Sequence, residues 1–119
     1  MRKPGDKPAP GDAYDKGLGL LSRREHSARE LKTKLARKGH ASDDITSAIG
    51  RLRDKTYQSD DRFGISIART RAAQGYGPAR IRAELKSHGL ADAAIIAAIA
   101  AADAGWATLA ARQLKRRFG

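Results

Sequence analysis

The stretch from Ser27 to Ile49 recurs 50 residues later, from Gly77 to Ile99, and no other feature restricts the fold of this chain so sharply. Leu31, Leu35, Gly39, Ala41, Ile45, Ala48 and Ile49 return as Ile81, Leu85, Gly89, Ala91, Ile95, Ala98 and Ile99, and Lys32 returns as Arg82. The matched apolar positions stand at three- and four-residue spacing on either side of a glycine, the pattern of two amphipathic helices with a stop between them. The repeated unit is a helical hairpin, and an all-α fold of tandem units follows.

Local signals place the helices. Ser27 and Glu30 form a capping box ahead of the stripe Leu31 and Leu35, Lys38 suits the negative end of the helix dipole, and Gly39 supplies the left-handed residue beyond it. Ser42, followed by Asp43 and Asp44, reads as the cap of a helix burying Ile45, Ile49 and Leu52. In front of this hairpin, Tyr14, Leu18 and Leu21 give residues 13–24 a helical stripe, which Gly17 and Gly19 weaken. Ser59, Asp60 and Asp61 open a second unit whose first helix turns Phe63, Ile67 and either Ile65 or Thr70 inward and ends at Gly75. In Gly75-Tyr76-Gly77-Pro78 the proline fits the first turn of the following helix, where its missing donor costs nothing. Ile81 and Leu85, then Ile95, Ile96 and Ile99, repeat the buried stripes. Trp106, Leu109, Ala110 and Leu114 begin another helix that leads to Lys115, Arg116 and Arg117. The expected organisation is a flexible lead-in over 1–12, a three-helix repeat over 13–54, a second over 59–102, and the first helix of an incomplete third over 103–119. The whole is expected to be elongated.

Charge narrows the function. The chain carries a formal net charge of +11 over 119 residues, and residues 1–16 hold four cations against three carboxylates, so the excess belongs to the folded part. A fold so charged attracts polyanions or acidic protein surfaces. Cysteine is absent, which excludes disulfides and thiolate metal sites and fits a cytoplasmic protein. The longest apolar run, residues 93–102, is half of the ~20 that a spanning helix requires, so no membrane association is expected. Catalysis is not expected either. His26, His40 and His88 are isolated, Gly17-Leu18-Gly19 lacks the rest of a phosphate loop, and the acidic pairs Asp43-Asp44 and Asp60-Asp61 stand where helix starts favour them. No cofactor or metal is implied.

The residues expected to bind a partner are cations. With Leu31 and Leu35 inward, Arg29, Lys32, Thr33 and Arg37 turn outward, and Arg80, Arg82 and Lys86 do so on the equivalent helix. Stacked hairpins would join these into a stripe. Arg23 and Arg24 at the end of the first helix, Tyr76 on its turn, and the cluster Lys115, Arg116 and Arg117 complete the candidate set. Charge alone leaves two classes open: a protein regulator recognising acidic residues, and a sequence-indifferent module binding single- or double-stranded DNA.

Four ordered segments carry a resemblance. LLSRREHSARELKTKLARKGH (20–40), YQSDDRF (57–63), GYGPARIRAELKSHGL (75–90) and the segment from Trp106 to RRFG follow the pattern of the RecX regulatory proteins. The resemblance implies a tandem array of three-helix repeats, and a protein that binds the RecA filament in its helical groove and limits filament growth, ATP hydrolysis and strand exchange; the chain itself is expected to be a monomer. It therefore implies a role in recombination, DNA repair and the SOS response. The chain departs from the pattern where a third repeat would continue after Gly119, and where Lys55, Thr56 and Gln58 replace a more apolar or glycine-containing linker.

Overall fold

A computed structural model describes residues 11–103 of the chain. Among the described residues there are six helices and no strand: α1 (Asp12–Arg23), α2 (Ala28–Arg37), α3 (Ser42–Asp54), α4 (Asp60–Ala73), α5 (Pro78–Ser87) and α6 over 92–103. The chain divides into two compact units between Ser59 and Asp60, with α1–α3 in the first and α4–α6 in the second. Trp106, Leu109, Ala110 and Leu114 lie outside the described residues, as do Lys115, Arg116 and Arg117.

Four helix stops, those of α2, α3, α4 and α5, are made the same way, whereas α1 ends on an extended Arg24. After α2, Gly39 sits at φ 88°, its amide donating to the Ala36 carbonyl at 3.0 Å while the His40 amide reaches Leu35 at 3.3 Å. This pair of bonds satisfies carbonyls that a helix end would otherwise leave bare. The same two bonds close α4 at Gly75 and α5 at Gly89, and after α5 the next residue, Leu90, is buried. They also close α3, where the Thr56 amide meets Arg53 at 2.9 Å and the Tyr57 amide meets Leu52 at 2.9 Å. There the left-handed position, at φ 62°, is held by a β-branched threonine instead of glycine.

Helix starts differ more. Ser27 is extended and its Oγ accepts from the Glu30 amide at 3.0 Å, as expected, and Gly77 precedes Pro78 in the first turn of α5. The expectation for Ser42 requires correction. Ala41 is the extended residue and its carbonyl receives the Ile45 amide at 3.0 Å, so Ser42 is already helical and α3 begins without a side-chain cap. Asp43 and Asp44 still lie in the first turn, where the dipole favours them.

In the first unit Leu31, Leu35 and Leu52 are fully buried, with Ile45, Ala48 and Ile49 beside them. Burying each leucine contributes on the order of 2 kcal/mol. Here α1 packs on α3, and both contact α2. Gly17 lies at the α1–α3 contact, where a Cβ would come within 2.8 Å of Leu52 Cδ1. This glycine weakens the helix and at the same time allows its close approach. In the second unit the core is Phe63, Ala68, Ala72, Ile81, Leu85, Leu90, Ile95, Ala98 and Ala102. Gly64 does here what Gly17 does in the first unit, since its Cβ would meet Leu90 Cδ2 at 2.9 Å and Ala98 Cβ at 3.3 Å.

Two readings of the inward faces change. On α4 the fully inward small residues are Ala68 and Ala72, whereas Ile65 and Ile67 are half-buried at the edge and Thr70 is exposed. On α6 Ile96 is not part of the core but 65% exposed. Ile95, Ala98 and Ala102 occupy the inward arc at helical spacing, and one residue of rotation carries Ile96 about 100° away from it.

Candidate functional site

Burial of Leu31 and Leu35 turns the opposite side of α2 to solvent, and Arg29, Lys32, Thr33, Ala36 and Arg37 line a shallow depression there. Thr33 Oγ1 donates to the Arg29 carbonyl at 3.1 Å, which ties it to the helix and leaves the longer cations to form the rim. The equivalent surface of the second unit is lined by Arg82 and Lys86 of α5 with Asp92, Ile95 and Ile96. Lys32, Arg37, Arg82 and Lys86 are exposed and form no ion pair among the described residues. Within each unit, then, the middle helix presents cations outward.

The remaining candidates are placed differently. Arg23 is exposed in the last turn of α1. Arg24, one residue on, is also exposed, but its side chain is tied down. Its guanidinium donates to both Glu30 carboxylate oxygens, with Nη1 at 3.1 Å from Oε1, and to the Glu25 carbonyl at 2.9 Å. Tyr76 is half-buried against the second core, and the Arg80 guanidinium stacks on its ring 4.2 Å from the centroid.

In each unit an arginine from the end of the first helix clasps a carboxylate on the middle helix. The second clasp is Arg71 to Glu84, at 2.7 and 3.0 Å, with Gln74 accepting a further bond from Arg71 at 3.1 Å. The carboxylates occupy different turns, because Glu30 and Lys34 are replaced 50 positions on by Arg80 and Glu84. Burial pulls the Glu30 carboxyl upward, but the Arg24 bonds and the neighbouring positive groups prevail and hold it below its ordinary range. The bonds from Arg71 likewise lower Glu84, against a smaller effect of burial. These pairs neutralise Arg24 and Arg71 internally and leave the α2 and α5 faces as the open positive surfaces.

Sequence reasoning assigned His26 no more than a loop role, yet it is buried at the centre of a polar junction in the first unit. Burial lowers its pKa, so the ring is neutral at pH 7. Nδ1–H donates to the Arg24 carbonyl at 2.9 Å, and Nε2 accepts from the Lys34 ammonium at 3.0 Å. Gln58, also buried, donates to the His26 carbonyl at 3.2 Å. Separations of 8 and 32 residues hide these contacts from any local pattern. Among the described residues no group of His, Cys, Asp or Glu is arranged to hold a metal ion, and no helix is long and apolar enough to cross a membrane.

Comparison with known proteins finds the same units. The first three-helix domain of RecX matches residues 13–52, and the second three-helix domain of RecX matches residues 59–99. The chain is 48% identical over 104 residues to the regulatory protein RecX of Xanthomonas axonopodis pv. citri, covering 87% of this chain and 64% of that protein. It is 46% identical over 104 residues to that of Xanthomonas oryzae pv. oryzae, covering 87% and 65%, and 41% identical over 113 residues to that of Stenotrophomonas maltophilia, covering 95% and 69%. The chain thus spans just under two thirds of the length of the Xanthomonas relatives.

Proposed function

The chain belongs to the RecX family of regulatory proteins, and from that membership we propose that it binds the RecA filament and limits filament growth, ATP hydrolysis and strand exchange. One observation carries the reading beyond the family name. Both units present cations outward from the middle helix that form no ion pair among the described residues, Lys32 and Arg37 on α2 and Arg82 and Lys86 on α5, with Arg29 beside the first pair. Such faces are attracted to acidic residues lining a filament groove, and two units in tandem give one chain two points of attachment. Attachment to more than one protomer obstructs growth of the filament by occupancy, so the protein acts by binding and not by chemistry of its own. A RecA partner places it in the cytoplasm.

Arg29, Lys32, Arg37, Arg82 and Lys86 are the principal contacts in this reading, with Arg23, Arg80 and Tyr76 at the periphery. Arg24 positions Glu30 and through it the start of α2. The test is ATP hydrolysis by RecA on single-stranded DNA, with this chain added below stoichiometry and its own affinity for DNA measured in the same buffer. Inhibition is expected where DNA binding by the chain alone is negligible, and hydrolysis that continues unchanged at full occupancy of RecA sinks the proposal.

A further inference from the structure

Three residues that no part of the RecA reading uses come together on the α1–α3 side of the first unit. The Arg51 guanidinium lies over the Tyr14 ring, 4.2 Å from its centroid. One turn further on, at the C-cap of α3, Lys55 Nζ stands 5.2 Å from the same centroid and donates to the tyrosine hydroxyl at 3.2 Å. Two cations thus converge on one half-buried ring, and among the described residues no carboxylate pairs with either. Arg24 and Arg71, by contrast, are clasped internally by Glu30 and Glu84. The stacked arginine of the second unit, Arg80, also lies in the field of Glu84.

The second unit lacks this set: 50 residues on, the sequence has Gly64, Ala101 and Gly105.

We propose that Tyr14, Arg51 and Lys55 form a phosphate-binding site for a nucleic-acid backbone, specific to the first unit. Stacking fixes the plane of the Arg51 guanidinium and leaves its outer N–H edge free, so little freedom is lost when an anion arrives. A planar carboxylate is satisfied by one guanidinium fork, as at Glu84. Arg51 and Lys55 approach from separate turns, and this suits the tetrahedral oxygens of a phosphodiester, which accept from more than one direction. The ring presents no base-reading group, so binding is indifferent to sequence. This site shares no residue with the α2 and α5 faces and stands whether or not those faces bind RecA.

The experiment is binding of fluorescent oligothymidylate to the full chain across a salt series. Replacing Arg51→Gln with Lys55→Gln is expected to make the dependence of log K on log salt shallower by about 1.4, two single-strand phosphate contacts. The charge-matched variant with Lys38→Gln and Arg69→Gln, both exposed and outside the set Tyr14, Arg51 and Lys55, is expected to keep the wild-type slope. Tyr14→Leu keeps both cations and is expected to weaken binding about two- to fivefold with little change of slope, whereas Tyr14→Phe retains the ring and most of the affinity. Circular dichroism checks that each variant keeps its helix content. An unchanged slope in the Arg51 and Lys55 variant, or an equal change in the charge-matched one, overturns the proposal. So does a variant that still binds oligothymidylate but no longer binds polyglutamate, which would assign the site to an acidic polypeptide.

Discussion

Among the described residues Thr56 is the one that holds a left-handed helix stop without being glycine, and replacing it is expected to stabilise the first unit. At φ 62° the Cβ of an L-residue crowds the following carbonyl, at a cost of about 1–2 kcal/mol, and β-branching places Thr56 toward the upper end. Thr56→Gly removes that cost but returns about 0.5–1 kcal/mol, because glycine has more freedom to lose on folding. The Thr56 Oγ1 bond to the Lys55 carbonyl, 2.6 Å and exposed, is lost to water with little consequence. The balance is a gain of about 0.5–1.5 kcal/mol, which for a unit of this size raises Tm by roughly 2–12 °C. The mirror experiment is Gly39→Ala, at φ 88° with no atom within 4 Å of the new Cβ, so that only the backbone term operates; it is expected to destabilise by about 1 kcal/mol. Thermal and urea unfolding followed by circular dichroism read both. A Thr56→Gly variant no more stable than the parent, with unchanged urea dependence, would refute the assignment of strain to this position.

Gly17→Ala is expected to cost about 1–3 kcal/mol in urea unfolding, because its Cβ would meet Leu52 Cδ1 at 2.8 Å in a fully buried contact, whereas Gly19→Ala, with open space around it, is expected to be neutral or stabilising. The lowered pKa of His26 means that the unfolded chain binds its proton more readily than the folded one. Stability from this residue is therefore complete above pH ~6.5 and declines as pH falls from there toward the folded value; His26→Gln should flatten that window in pH-dependent urea unfolding. The carboxyls of Glu30 and Glu84 are also lowered, so their contribution holds above pH ~4.5 and is lost as pH falls further, and Glu30→Gln should remove part of the acid lability. Reversing charge at Arg29, Lys32, Arg82 and Lys86 together is expected to weaken binding to RecA filaments by tenfold or more, about 1.4 kcal/mol, with helicity intact; unchanged affinity in a pull-down or anisotropy titration rejects these faces.

What could be read from the residues alone was what depends on near neighbours. The Ser27 cap, the stops at Gly39, Gly75 and Gly89, and the position of Pro78 each need only a few residues of chain, and a repeat that states the stripe twice removes the ambiguity of a single reading. Ser42 shows the limit of the same reasoning, since two adjacent positions were sterically suited to end the extended segment and Ala41 took it. The rest was set by partners distant in sequence. That Gly17 marks a close contact depends on Leu52, the burial of His26 depends on Lys34 and Gln58, and the exposure of Ile96 depends on which arc of α6 meets Phe63 and Leu90. The cations of α2 and α5 were visible as outward residues, but the neutralisation of Arg24 by Glu30 and the stacking of Arg51 and Lys55 on Tyr14 required the folded geometry.

A chain that states one hairpin twice is open to misassembly, since the first helix of either unit meets a similar pair of stripes. The two glycine contacts discriminate between these outcomes. They stand at different registers: 50 positions from Gly17 lies Ile67, and 50 positions from Gly64 lies Tyr14. Were α4 to dock on α2 and α3 in the register of α1, a branched side chain would arrive where Leu52 leaves no room for a methyl group. Were α1 to dock on α5 and α6, a tyrosine ring would arrive where Leu90 and Ala98 close in. In the 50-residue register of the hairpins, each first helix therefore carries a steric address for its own unit, written by the side chain that is missing.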